Sequence, residues 1–138
     1  MSETVPLPAI RVLLVDEDSK TRAAIADRIG RMEGMELAGA AGDVQGVRDL
    51  LHSAQTDVIL LDLHQYDGQD GGVCRSIRAL TDLPVIVLAS FMTVERWQEA
   101  SAAGATAYVL KNIDTEQLSR EIKELTAKAG RGSGGGEE

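Results

Sequence analysis

Two patterns of apolar residues alternate along the chain. The short runs Ile10-Arg11-Val12-Leu13-Leu14-Val15, Val58-Ile59-Leu60-Leu61 and Val85-Ile86-Val87-Leu88 have no helical period and are too brief for a helix. They fit strands buried on both faces, as in the middle of a parallel sheet. Between them, apolar residues recur every three or four positions, the mark of a helix with one buried face. Ile25, Ile29 and Met32 define the first such face, and Val47, Leu50 and Leu51 the second. Val73, Ile77 and Leu80 define the third, and Leu118, Ile122 and Leu125 the last. Residues 35–41 read as a weaker strand, thin in β-branched residues, and residues 106–110 as a fifth.

Punctuation supports this division. Asp18 or Ser19 can cap the first helix, which Gly34 closes, and Gly42-Asp43 opens the second. A helix over about residues 93–103 meets Gly104, a natural left-handed cap. Asp114 with Gln117 three positions later resembles a capping box. Five strand–helix units in series predict an α/β fold, because parallel strands need right-handed crossovers that cover both faces with helices. The expected sheet order is 2-1-3-4-5, that of flavodoxin-like doubly wound folds. Residues 1–9 are expected to be a flexible arm, 10–128 the folded domain and 129–138 a disordered Gly-rich tail. That tail is either a natural end or the start of a linker to a further domain.

Two strands end on acids: the first on Asp16-Glu17-Asp18, the third on Asp62. In the expected order these strands are neighbours, so Asp16, Glu17 and Asp62 converge at the carboxyl edge, where open α/β sheets bind ligands. Lys111 leaves the fifth strand, and its long side chain can reach the same place. Composition narrows the function. A net charge of −8 argues against nucleic acid binding by this chain, since phosphate contacts need clustered Lys and Arg. Cys74 is the single cysteine and suits a reducing compartment. Neither a membrane span nor a signal pattern is visible, so the expected location is cytoplasmic.

The three motifs Val-Asp-Glu-Asp after strand one, Leu-Leu-Asp-Leu after strand three and Ala-Gly-Ala-x-Ala-Tyr-Val-Leu-Lys at strand five, taken together, resemble receiver domains of two-component response regulators. Leu110-Lys111-Asn112, without a following proline, is similar to receivers that precede helix-turn-helix output domains. The resemblance implies a phosphoacceptor rather than an enzyme with its own substrate. It assigns the phosphoacceptor to Asp62 and the phosphate-pairing lysine to Lys111. Mg²⁺, a hard ion preferring oxygen ligands, would be held by Asp16, Glu17, Asp62 and the backbone carbonyl of His64. Tyr108 matches the aromatic that turns inward on activation. The implied partners are a sensor histidine kinase or phosphotransfer protein, and a partner or output domain on the face made by helix four, strand five and helix five. The same face serves homodimers in such receivers.

Two departures stand beside these matches. Ala89 occupies the position where receivers carry a Thr or Ser whose hydroxyl binds the phosphoryl group; Ser90 follows it, but strand side chains alternate faces. After Asp62 the usual Met-Pro is replaced by Gln65-Tyr66, and Asp70-Gly71 is displaced by one position. Trp97 has two open readings, a place at the core rim or an exposed interface anchor on helix four. A flavin protein lacks support, because three acids after strand one repel phosphate, and a GTPase would need a Walker loop, which is absent. Two function classes stay open. One is a phosphorylation-driven signalling receiver; the other is an atypical receiver-like interaction module that works through a fixed surface without phosphorylation.

Overall fold

A computed structural model describes residues 8–62 and 71–129. Most of the N-terminal arm (1–7), the loop at 63–70 and most of the Gly-rich tail (130–138) expected from sequence lie outside the described residues. Five strands, β1 (Ile10–Val15), β2 (Met35–Ala41), β3 (Val58–Asp62), β4 (Val85–Ala89) and β5 (Ala107–Leu110), alternate with helices. The helices are α1 (Ser19–Gly30), α2 (Val44–Ser53), α3 (Gly71–Leu80), α4 (Val94–Ala102) and α5 (Thr115–Lys128). All strand pairings are parallel and the order is β2-β1-β3-β4-β5, the doubly wound order expected from sequence.

Strand alternation divides the core into two layers. Val12, Leu14, Val58, Leu60, Ile86 and Leu88 pack with Ile25, Ile29, Leu118 and Ile122, so α1 and α5 cover one face. Leu13, Val15, Ile59, Leu61, Val85 and Val87 pack with Val47, Cys74, Ile77 and Ala100, so α2, α3 and α4 cover the other. Burial on both faces explains why β1 from Val12, β3 up to Leu61 and β4 read as apolar runs. β2 is an edge strand with a register shift opposite Val12 and Leu13. Gly39 there admits Leu50 of α2, whose Cδ2 would lie 2.6 Å from any Cβ at that position.

Four helices, α1, α2, α4 and α5, are capped at the N-terminus by a side chain that satisfies an otherwise orphaned N–H. Asp18, Asp43, Thr93 and Asp114 accept from the backbone N–H of Thr21, Gly46, Arg96 and Gln117. Two local expectations need correction. The first helix stops at Gly30, not Gly34, so Met32 is buried in the turn after it, and Gly34 serves that turn with φ 82°. On α3 the buried pair is Cys74 and Ile77, whereas Val73 is 41% exposed. Cys74 joins the core layer under this helix, and the 73/77 and 74/77 spacings are equally helical.

Arginines bind the layers together. Arg78 donates to the carbonyls of Gly104, Thr81 and Leu83, at 2.6, 2.9 and 2.8 Å. It thereby covers the left-handed turn at Gly104 (φ 116°) and the approach to β4. Arg28 of α1 donates to the Ile113 carbonyl and the Thr115 hydroxyl, tying α1 to the start of α5.

Candidate functional site

β1 and β3 run side by side with Val15 opposite Leu61, so the next residue of each strand, Asp16 and Asp62, stands at the same edge of the sheet. Both acids share the alternation phase of Val12, Leu14, Val58 and Leu60, which places them toward the α1/α5 side. Asp16 is fully buried and Asp62 is 3% exposed. Such carboxylates are costly to bury unless compensated. Compensation comes from the far side of the sheet. The Lys111 N–H donates to the Ala89 carbonyl at 2.9 Å, extending the β4–β5 ladder by one residue. The Lys111 ammonium then reaches Asp62, with Nζ 2.7 Å from Oδ1.

Asp16 is tightly fixed. Its N–H donates to the Ala41 carbonyl at 2.9 Å, and its Oδ1 accepts the Asp18 N–H at 2.9 Å. Its carbonyl accepts from Arg22 Nη1 at 2.7 Å. Asp18 is a cap, with Oδ2 accepting from both the N–H and the hydroxyl of Thr21 at 2.8 Å. Glu17 is exposed. The donor set suits a hard divalent cation in kind, two buried carboxylates at adjoining strand ends with a third acid next in the chain. Among the described residues, no three His, Cys, Asp or Glu side chains are gathered closely enough to hold a metal ion, and exposed Glu17 stands apart from the two buried acids. His64, whose carbonyl is the fourth expected ligand, lies outside the described residues.

Ala89 and Tyr108, two of the expected switch positions, lie on the opposite phase of the sheet. Ala89 ends β4 as part of the core layer under α2–α4, and Ser90 is exposed just past the strand. Tyr108, opposite Val87, leans toward α4 and is 42% exposed. Trp97 packs at the edge of that core layer and meets Tyr108, with ring centroids 5.3 Å apart and planes tilted by 52°. This favours the core-rim reading of Trp97. The neighbouring surface carries Phe91, Val94 and Leu110 in exposed positions, with the Arg96 guanidinium 4.3 Å above the Phe91 ring. An open hollow of about 390 Å³ lies beside it, lined by Tyr108, Leu110, Asn112, Ile113, Gln117 and Glu121 among others. Sequence reasoning missed Arg22, Arg28 and Arg78, which carry no signal beyond being cations on helices.

Cys74 is 3% exposed, and burial pushes its thiol above the ordinary value, against smaller opposing effects of Arg78 and Arg75. No helix among the described residues is long and apolar enough to cross a membrane.

Comparison with known proteins agrees with the geometry. The chain is 31% identical over 119 residues to the DNA-binding transcriptional activator DevR/DosR of Mycobacterium tuberculosis, covering 86% of this chain and 55% of that protein. It is 34% identical over 117 residues to the transcriptional regulatory protein LiaR of Bacillus subtilis, covering 83% and 54%. The chain thus spans about half the length of the curated relatives it matches. A CheY-like response regulator receiver domain protein from Methanospirillum hungatei superposes with TM-score 0.69 at 21% identity, covering 87% of this chain and 95% of that one. The family described as response regulator receiver domain matches residues 12–123, the span that contains both strand-end acids, Ala89 and Lys111. The chain therefore belongs to the response regulator receiver domain family.

Proposed function

We propose that this domain accepts a phosphoryl group on Asp62, with Mg²⁺, and relays that state to a partner or output domain. The observation that carries this reading is the 2.7 Å approach of Lys111 Nζ to Asp62 Oδ1 at a strand end shared with the buried Asp16. An Asp62 carboxylate oxygen attacks the phosphorus of a phosphorylated histidine or a small acyl phosphate. The new O–P bond forms as the donor's bond to phosphorus breaks, and the leaving group departs with that electron pair. Phosphoryl transfer of this kind depends mainly on positioning and charge neutralisation. Lys111 supplies one positive charge beside the accepting carboxylate, and Asp16 with Glu17 would hold the ion. Mg²⁺, when bound, screens the repulsion between Asp62 and the incoming phosphate.

The expected donor is a sensor histidine kinase or a phosphotransfer protein. The expected receiver of the signal docks on the α4–β5–α5 face, where Phe91, Val94, Tyr108 and Leu110 leave apolar surface exposed. A second copy of the chain fits the same face. Duplex DNA does not, given the net charge of −8.

A second reading, a receiver-like interaction module working through a fixed surface, is favoured by two observations. Ala89 has no hydroxyl to offer a phosphoryl oxygen, and Tyr108 is already packed on Trp97. Incubation with a small acyl phosphate and Mg²⁺, followed by intact-mass analysis, separates the two. One added phosphoryl group per chain supports the signalling receiver; a chain that stays unmodified supports the fixed module.

A further inference from the structure

Arg22 sits early in α1, half-buried, and folds its guanidinium back over the end of β1, where Nη1 donates to the Asp16 carbonyl at 2.7 Å. That carbonyl belongs to the peptide joining Asp16 to Glu17. Its orientation therefore sets the two torsions that aim these acids, ψ of Asp16 and φ of Glu17. The preceding N–H is already fixed on Ala41 and the Asp16 carboxylate on the Asp18 N–H, and Arg22 adds a hold on the carbonyl between them. Space for the guanidinium comes from another element. A Cβ on Gly42, in the turn after β2, would stand 2.8 Å from Arg22 Nη1 and 3.9 Å from the Asp16 carbonyl oxygen. Gly42 is not among the glycines with positive φ, so what it provides is room rather than an unusual backbone conformation.

We propose that Arg22, admitted by Gly42, is a positioning residue that sets the Mg²⁺ affinity of the acid pair by holding the Asp16–Glu17 peptide. The inference rests on the reading that Asp16 and Glu17 hold the ion. Charge and position make opposite demands here. As a nearby cation, Arg22 would weaken Mg²⁺ binding, and its removal would tighten it. As the clamp on the peptide, Arg22 strengthens binding, and its removal weakens it. Exposed Glu17 is the acid that has to be aimed, which is why the clamp dominates.

The test is calorimetric titration of Mg²⁺ into the metal-free protein, with the metal-free thermal midpoint recorded alongside. Arg22→Met is expected to bind Mg²⁺ about tenfold more weakly, the usual scale for losing a partner behind a ligand. Gly42→Ala pushes the tip of a flexible side chain aside while keeping its charge, so it should fold well and also lose affinity. Arg22→Lys, which keeps one donor, should recover part of the loss. Equal or tighter binding by Arg22→Met overturns the proposal, as does an unchanged affinity in Gly42→Ala. A lowered thermal midpoint with unchanged affinity makes Arg22 a plain helix clamp and overturns it too. A parent protein that takes up no Mg²⁺ refutes the metal reading itself, an outcome distinguishable from the others, all of which need a parent that binds.

Discussion

Trp97 of α4 and Tyr108 of β5 pack with ring centroids 5.3 Å apart, so the aromatic of strand five is held against helix four. Aromatic pairs of this kind contribute about 0.5–1.5 kcal/mol beyond their buried area. Ala89, at the end of β4, offers no hydroxyl that could draw the following loop toward a phosphoryl group on Asp62, were one placed there. A hydrogen bond to a charged oxygen is worth about 1.5–3 kcal/mol, similar to a typical allosteric coupling of about 1–3 kcal/mol. Beryllofluoride, a phosphoryl mimic, should therefore change Trp97 fluorescence less in the parent protein than in Ala89→Thr. A full change in the parent, with nothing added by the threonine, would show that Ser90 or another route supplies the coupling.

Lys111 is the cation placed directly on Asp62, whose side chain is fully buried. Breaking a buried ion pair costs about 3–5 kcal/mol, and the 26% exposure of Lys111 reduces the expected loss for Lys111→Met to about 1–3 kcal/mol. Urea unfolding of the metal-free protein measures this. Added Mg²⁺ should restore part of the lost stability, because it brings positive charge back to the acids. A variant as stable as the parent would mean that the pair contributes nothing.

Arg78 makes four hydrogen bonds to three backbone carbonyls, those of Gly104, Thr81 and Leu83. Arg78→Ala should lower stability by about 2–3 kcal/mol, since these carbonyls lose a charged donor. Arg78→Lys should recover little, because a point-like ammonium cannot replace the planar fork. Denaturant midpoints for the three proteins decide it, and a loss within error for Arg78→Ala would be the contrary result.

Cys74 is enclosed between α3 and the sheet, and burial raises its thiol above the ordinary value of 9.0. The folded state thus holds this proton more tightly than the unfolded chain. The stabilisation is complete below about pH 9 and declines above it, as the unfolded thiol ionises first. A maleimide reagent at neutral pH should label the native protein far more slowly than the urea-unfolded chain. Equal rates would contradict the burial.

The strands and caps were legible because their signals are local. Residues 58–61 are too few for a helix, and Asp18, Asp43 and Asp114 stand where an acceptor is needed. The strand-end acids were legible once the topology made β1 and β3 neighbours. The buried face of α3 was not, since Val73 and Cys74 fit the helical period equally well and only the folded structure shows which of them is buried. The arginine clamps were hidden for a different reason. Arg22, Arg28 and Arg78 bind carbonyls 6, 85 and 26 positions away, and a backbone carbonyl leaves no trace in a sequence. Trp97 stayed ambiguous until Tyr108 was placed beside it.

Asp62 as phosphoacceptor, with its acidic neighbours acting through Mg²⁺, is the proposal on which the functional reading rests. The most direct measurement is intact-mass analysis of the parent and Asp62→Asn after exposure to a small acyl-phosphate donor, each with Mg²⁺ and with a chelator. One added phosphoryl group is expected on the parent with Mg²⁺, and none on the parent with chelator or on Asp62→Asn in either condition. Equal labelling of Asp62→Asn and the parent, or uptake unaffected by the chelator, would contradict it.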